Sequence, residues 1–152
     1  MDAAESFAAL LREVVAGIGL PMPELDEDGG CVVTFDGKLV VTLAPHAARG
    51  ELVAFTPLGI VPEESSAELL AEMLRANRGS LRHGRRLALA PDEQTAVLFS
   101  VKSLDGLDVQ GFEHWLDQHV RAAEEWSAWL SGPVESSVRL PADEPGPYAI
   151  RV

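Results

Sequence analysis

Apolar residues in this chain recur in two rhythms, one of three to four residues and one of two. From Ala3 to Ile18, the positions Phe7, Leu10, Leu11, Val14, Val15 and Ile18 follow the longer step and form a single stripe. That stripe predicts an amphipathic helix. Gly17 and Gly19 weaken its end, and Pro21 and Pro23 prevent continuation. A polar, acidic connection then runs from Pro23 to Gly30. Beyond it the period drops to two, and Cys31–Phe35 and Lys38–Ala44 predict a hairpin closed by a two-residue Asp36-Gly37 turn. Gly37, and less easily Asp36, can take the positive φ that a type I′ turn demands. In the second strand Leu39, Val41 and Leu43 share one face, and Val40 and Thr42 share the other. Both faces are apolar, so one is expected under helices and the other free for a further contact. Glu51–Thr56 predicts a third strand.

The helical rhythm returns from Glu63 or Glu64 to Arg78. Pro62 and the early glutamates suit the positive end of a helix, and Arg75 and Arg78 suit its negative end. Leu69, Leu70, Met73 and Leu74 make a narrow seam, which either packs on its own sheet or pairs with its twin across a two-fold axis. After the basic loop SLRHGRR, strands are predicted at Arg86–Ala90 and Thr95–Lys102. A third helix starts after Asp108, a suitable N-cap, and ends by Ser131. Phe112, Trp115, Leu116, Val120, Ala123, Trp126 and Leu130 line its apolar side. The order α-β-β-β-α-β-β-α places hairpin-rich antiparallel strands apart from helices, an α+β fold with a twisted antiparallel sheet packed by helices. Residues 1–131 read as one domain. Residues 132–152, with prolines at 133, 141, 145 and 147, read as an extended or disordered tail.

Charge narrows the partners. The chain has 24 acidic and 12 basic residues, a formal net charge of −12 and a pI near 4.6. Such a field disfavours nucleic acid and anionic membrane surfaces. It serves solubility, and it also suits a basic or sticky protein client. No apolar run approaches the roughly 20 residues that cross a bilayer, and the MDAAES start is acidic, unlike a secretory signal. A cytoplasmic location is expected.

Chemistry finds little footing. His114 and His119 are five apart, whereas metal ligands on one helix face stand three or four apart; both are expected at the helix surface or boundary. The pattern Asp26, Asp28, Gly30 lacks the glycine and glutamate of a calcium loop, since the sixth and twelfth places hold Cys31 and Gly37. Gly17-Ile18-Gly19 follows a helix rather than a strand, so it is not a dinucleotide loop. Cys31, the single cysteine, starts an apolar strand and is expected to be an inert buried thiol; pairing with a histidine as a nucleophile is the alternative. No catalytic, cofactor-binding or metal-binding residue is assigned, and the chain is expected not to be an enzyme.

With these elements placed, the chain resembles the class I type III secretion chaperones of the CesT/Tir chaperone family. The likeness spans Phe7 to Leu130. It is carried by Gly19-Leu20-Pro21, Leu25-Asp26-Glu27, Gly30-Cys31 and Phe35-Asp36-Gly37, then by Leu69-Leu70, Met73-Leu74, Asn77 and Glu124-Glu125-Trp126. The resemblance implies a homodimer built from the second helix and fourth strand, with Leu69, Leu70, Met73, Leu74, Leu87 and Leu89 as interface candidates. It also implies that the N-terminal segment of a secreted effector wraps the dimer in extended form, kept soluble and export-competent. Phe7, Leu10, Leu11, Val14, Val33, Phe35, Val41 and Leu43 are the matching candidates for client contact, or for the core beneath it. The tail ending Tyr148-Ala-Ile-Arg-Val152 resembles an extension of regulatory members, which bind a control protein of secretion genes in exchange with a secreted partner. That is the alternative function.

Overall fold

Helix α1 (Ala3–Gly17) begins where Asp2 caps it: the Asp2 carboxylate accepts the Glu5 N–H at 2.8 Å, and Glu5 in turn accepts the Asp2 N–H at 3.2 Å. This reciprocal pair satisfies two of the free donors at a helix start. The computed structural model describes residues 2–80 and 84–131, so the expectation for the tail lies outside the described residues. After α1 come β1 (Cys31–Phe35), β2 (Leu39–His46), a 3-10 turn (Ala47–Arg49) and β3 (Glu51–Ile60). A second 3-10 turn (Glu63–Ser65) leads into α2 (Ser66–Ser80), followed by β4 (Arg85–Leu89), β5 (Thr95–Ser103) and α3 (Val109–Ser131). The α+β order expected from the sequence is the order observed.

The strands form one sheet in the order β1-β2-β3-β5-β4, antiparallel throughout. At the first hairpin Asp36 and Gly37 both have positive φ, 51° and 66°, and the Phe35 carbonyl accepts the Lys38 N–H. Pairing closes with Phe35 opposite Leu39, so Lys38 belongs to the turn and the loop is one residue longer than the sequence pattern suggested. The third strand differs more. It runs four residues past Thr56, through Pro57 and Gly59, because a register shift between those two lets β5 keep pairing. A bulge accommodates a proline and a glycine that otherwise signal a strand end. Leu58 thereby reaches the core and Ile60 the surface.

Helices α1 and α3 cover one face of the sheet. Phe7 and Leu11 of α1, and Phe112, Trp115, Ala122, Ala123 and Trp126 of α3, meet Leu39, Val41, Leu43, Leu52, Ala54 and Leu98 in a single core. Phe7 and Phe112 stack edge to face at 6.2 Å. Asp108 caps α3 through the Gly111 N–H at 2.8 Å, as its sequence position predicts. Inside the core lies a polar bridge. The His119 ring joins Ser100 Oγ at 2.6 Å through Nδ1 and Thr56 Oγ1 at 2.8 Å through Nε2. His119 is therefore buried, not at the helix surface or boundary, because both ring nitrogens find hydroxyl partners on the sheet.

Candidate protein-binding surfaces

The two edges of the sheet end differently. At β4, the Asn77 side chain of α2 donates to the Leu87 carbonyl at 2.8 Å and accepts the Leu87 N–H at 2.6 Å. One amide thus closes the middle of that edge. At β1, among the described residues, no side chain hydrogen-bonds to the strand's outer backbone. An unpaired strand edge is a template for another extended chain.

The core is incompletely covered along both edges. Val14 and Val15 of α1, with Val33 and Phe35 of β1, are half-buried at one margin, and Leu70 of α2 and Leu89 of β4 at the other. Large apolar residues also lie exposed. Ile18, Leu20, Met22 and Leu25 follow one another along the segment from the end of α1 toward β1, and Val32 and Val40 stand on the first hairpin. Ile60 and Leu74 are 66% and 70% exposed. Together with Leu70, Leu89, Val61 and Pro62, Ile60 borders a cavity of about 420 Å³ where α2 begins.

Register decides which face of the first hairpin is open. Cys31, Val33 and Phe35 pair with Leu43, Val41 and Leu39 on the helix-covered side. Val32, Thr34, Val40 and Thr42 therefore face away from α1 and α3, and farther across that side Phe55 and Phe99 stack at 5.2 Å. Of the client candidates, Phe7, Leu11, Val41 and Leu43 are closed within the chain's own core, while Leu10, Val14, Val33 and Phe35 are partly accessible. Of the dimer candidates, Leu69, Met73 and Leu87 are buried within this chain, Leu70 and Leu89 are half-buried, and Leu74 is open. Sequence reasoning missed Val32, Val40 and Ile60. The first two were visible as apolar residues, but nothing local says which side the helices take.

Cys31 and His119 are withdrawn from solvent. Burial, with the nearby Asp26 carboxylate, pushes the Cys31 thiol up to about 11, so the reactive thiolate is scarce at neutral pH. Burial and the Arg85 charge hold His119 down at about 4. The Ser100–His119 contact has the separation of a nucleophile–base pair, and both side chains are fully buried. Asp26 is occupied as a turn former, its Oδ1 accepting the Asp28 and Gly30 N–H groups at 3.0 and 2.8 Å. Among the described residues no group of three His, Cys, Asp or Glu side chains could hold a metal, and no helix is long and apolar enough to cross a membrane.

An open sheet, one uncovered strand edge and clustered surface apolar residues define the class, an α+β module shaped for docking polypeptide. Residues 9–127 match the Tir chaperone protein (CesT) family, and the chain belongs to that family. Among solved structures, a chain of the ExsC–ExsE complex is 26% identical with a TM-score of 0.74, the match covering 86% of this chain and 97% of that one. A chain of the complex between the Yersinia pestis type III secretion chaperone SycH and a stable fragment of YscM2 is 31% identical with a TM-score of 0.62, covering 78% and 97%. The ExoT–SpcS complex from Pseudomonas aeruginosa matches at 25% identity and a TM-score of 0.58, covering 79% and 96%. No curated protein matches the chain.

Proposed function

We propose that this protein is a dedicated type III secretion chaperone, binding the N-terminal chaperone-binding segment of an effector in extended form and keeping it soluble and export-competent. The observation that carries this reading is the likeness to the SycH complex, 31% identical over 97% of the matched chain. The physical features agree with it. An extended segment gains main-chain hydrogen bonds at the β1 edge and buries apolar side chains against the first hairpin and α1. Work of this kind uses binding energy alone, so the protein acts without a cofactor and is not an enzyme. It operates in the bacterial cytoplasm as a homodimer, joined through α2 and β4, with residues 1–131 as the domain.

The test is co-purification of the tagged protein from its native host, followed by mass spectrometry and by deletion mapping of the captured protein. An effector whose capture depends on its N-terminal segment is the expected result. Capture that survives deletion of that segment overturns the reading. A second reading, a regulatory chaperone that sequesters a control protein of secretion gene expression in exchange with a secreted partner, is favoured by the likeness to the ExsC–ExsE complex. Recovery of such a control protein, displaced by a secreted one, would select it.

A further inference from the structure

We propose that the chain's own residues 134–140 add as a further strand to the open β1 edge and hold that edge until a client displaces them. The described part of the chain ends at Ser131 of α3, and this residue lines a cavity of about 610 Å³ beside the tip of the first hairpin. Phe35, where β1 ends, borders the same cavity together with Lys38, Leu39 and Ala128. The next 21 residues of the chain therefore start near the point where the unpaired edge ends. A strand that leaves this point and runs back toward Cys31 is antiparallel to β1, like every pairing already in the sheet. Gly132 and Pro133 reach about 7 Å when extended, and an added strand lies about 4.8 Å outside β1.

The alternation of this segment fits the edge. Residues 134–140, VESSVRL, are a run of seven without glycine or proline, bounded by Pro133 and Pro141. In an extended chain Val134, Ser136, Val138 and Leu140 share one side, and Glu135, Ser137 and Arg139 share the other. With Val134 opposite Phe35, Ser136 meets Val33 and Val138 meets Cys31, since residues paired across strands share a face. That is the helix-covered face, where Val14, Val15, Val33 and Phe35 are left half-buried. Val134, Val138 and Leu140 would complete the cover of that margin. A register moved by two residues keeps these faces, whereas a shift of one turns the apolar set away from the margin.

Charge favours the same direction. In this register Arg139 comes to the turn before β1, where Asp26, Glu27 and Asp28 lie, and Glu135 lies toward Lys38 at the other end. The reverse direction would exchange these neighbours and set like charges together. A two-residue link holds the segment at an effective concentration of roughly millimolar order, so weak pairing occupies the edge and a tighter client still displaces it. Covering the edge in this way also removes a template for pairing between copies. The displacement step rests on the proposed function, in which the client's segment uses this edge; the docking of residues 134–140 does not.

The experiment follows amide hydrogen exchange by NMR in the full, isotope-labelled chain, with no client present. In the parent, the β1 amides that point away from β2 should exchange roughly tenfold or more slowly than in Val134→Asp/Val138→Asp. The conservative variant Val134→Ile/Val138→Ile should keep the parent's protection. Both substituted positions lie outside the described core, so circular dichroism should be the same in all three proteins. Nuclear Overhauser contacts between the Val138 methyls and β1 are expected in the parent. Equal exchange in the parent and the aspartate variant, or the absence of those contacts, overturns the proposal. Contacts between differently labelled chains in a mixed sample would assign the edge to a segment of a second copy and overturn it likewise. Because no client enters, failure here leaves the effector reading standing, and failure of effector capture leaves this result standing.

Discussion

His119 shows how much a single buried side chain controls. Its ring is neutral in the folded chain down to about pH 4, while in the unfolded chain it takes a proton near the ordinary 6.5. Between those values the unfolded state binds more protons, so stability falls as pH drops through that window and the loss is complete below it. The slope from this group is about 1.4 kcal/mol per pH unit. Unfolding free energy measured from pH 8 to 4 should therefore decline less steeply in His119→Gln than in the parent. At pH 7 the same variant should be less stable by about 1–3 kcal/mol, because Thr56 or Ser100 loses its partner. Parallel pH profiles would refute this account. Cys31 makes a simpler statement: a thiol-specific reagent at pH 7.5 should modify it at a rate that tracks unfolding by denaturant. Rapid modification of the native protein would mean that the thiol is not held as described. The polarity of His119 was legible in the sequence, but its burial was not, since its hydroxyl partners lie 63 and 19 residues away.

At the scale of elements, the first hairpin carries the decisive ambiguity. Alternating valines and leucines specify a strand, yet they do so on both sides of the sheet, and only docking of α1 and α3 distinguishes inside from outside. Val32 and Val40 emerge on the open side, 58% and 41% exposed. Changing them to lysine should leave thermal stability within about 0.5 kcal/mol of the parent, as for most surface changes. Client capture should be lost, because a lysine there keeps an apolar segment from seating. Retained capture in Val32→Lys/Val40→Lys would move the client surface to the β1 edge and α1 alone. Strand β3 teaches the complementary lesson. Pro57 and Gly59 read locally as an end, but pairing with β5 continues past them once the backbone bulges. That extension creates Ile60 as a surface residue beside α2, where local pattern showed only a loop.

For the whole molecule, the proposed dimer is the question that a single chain poses most sharply. Leu74 is open on α2, whereas Met73, its neighbour in sequence, is buried among the chain's own core residues. The two therefore separate assembly from folding. Light scattering behind size exclusion should report about twice the 16.3 kDa chain mass. Leu74→Glu should halve that mass and keep the circular dichroism of the parent. Met73→Glu should instead unfold the chain, because it buries a charge with no partner. A dimeric Leu74→Glu protein would place the interface elsewhere.

Sequence alone determined the order and boundaries of most elements, since hydrophobic period, proline and glycine stops, and helix caps act over a few residues. It also determined the family likeness, which resides in ordered short fragments. Tertiary structure alone decided which face of the hairpin is core, and that Asn77 closes the β4 edge while β1 stays open. The physical reason is range. A side chain's period is set by its own backbone, but its burial and its neighbours are set by strands and helices that arrive from elsewhere in the chain.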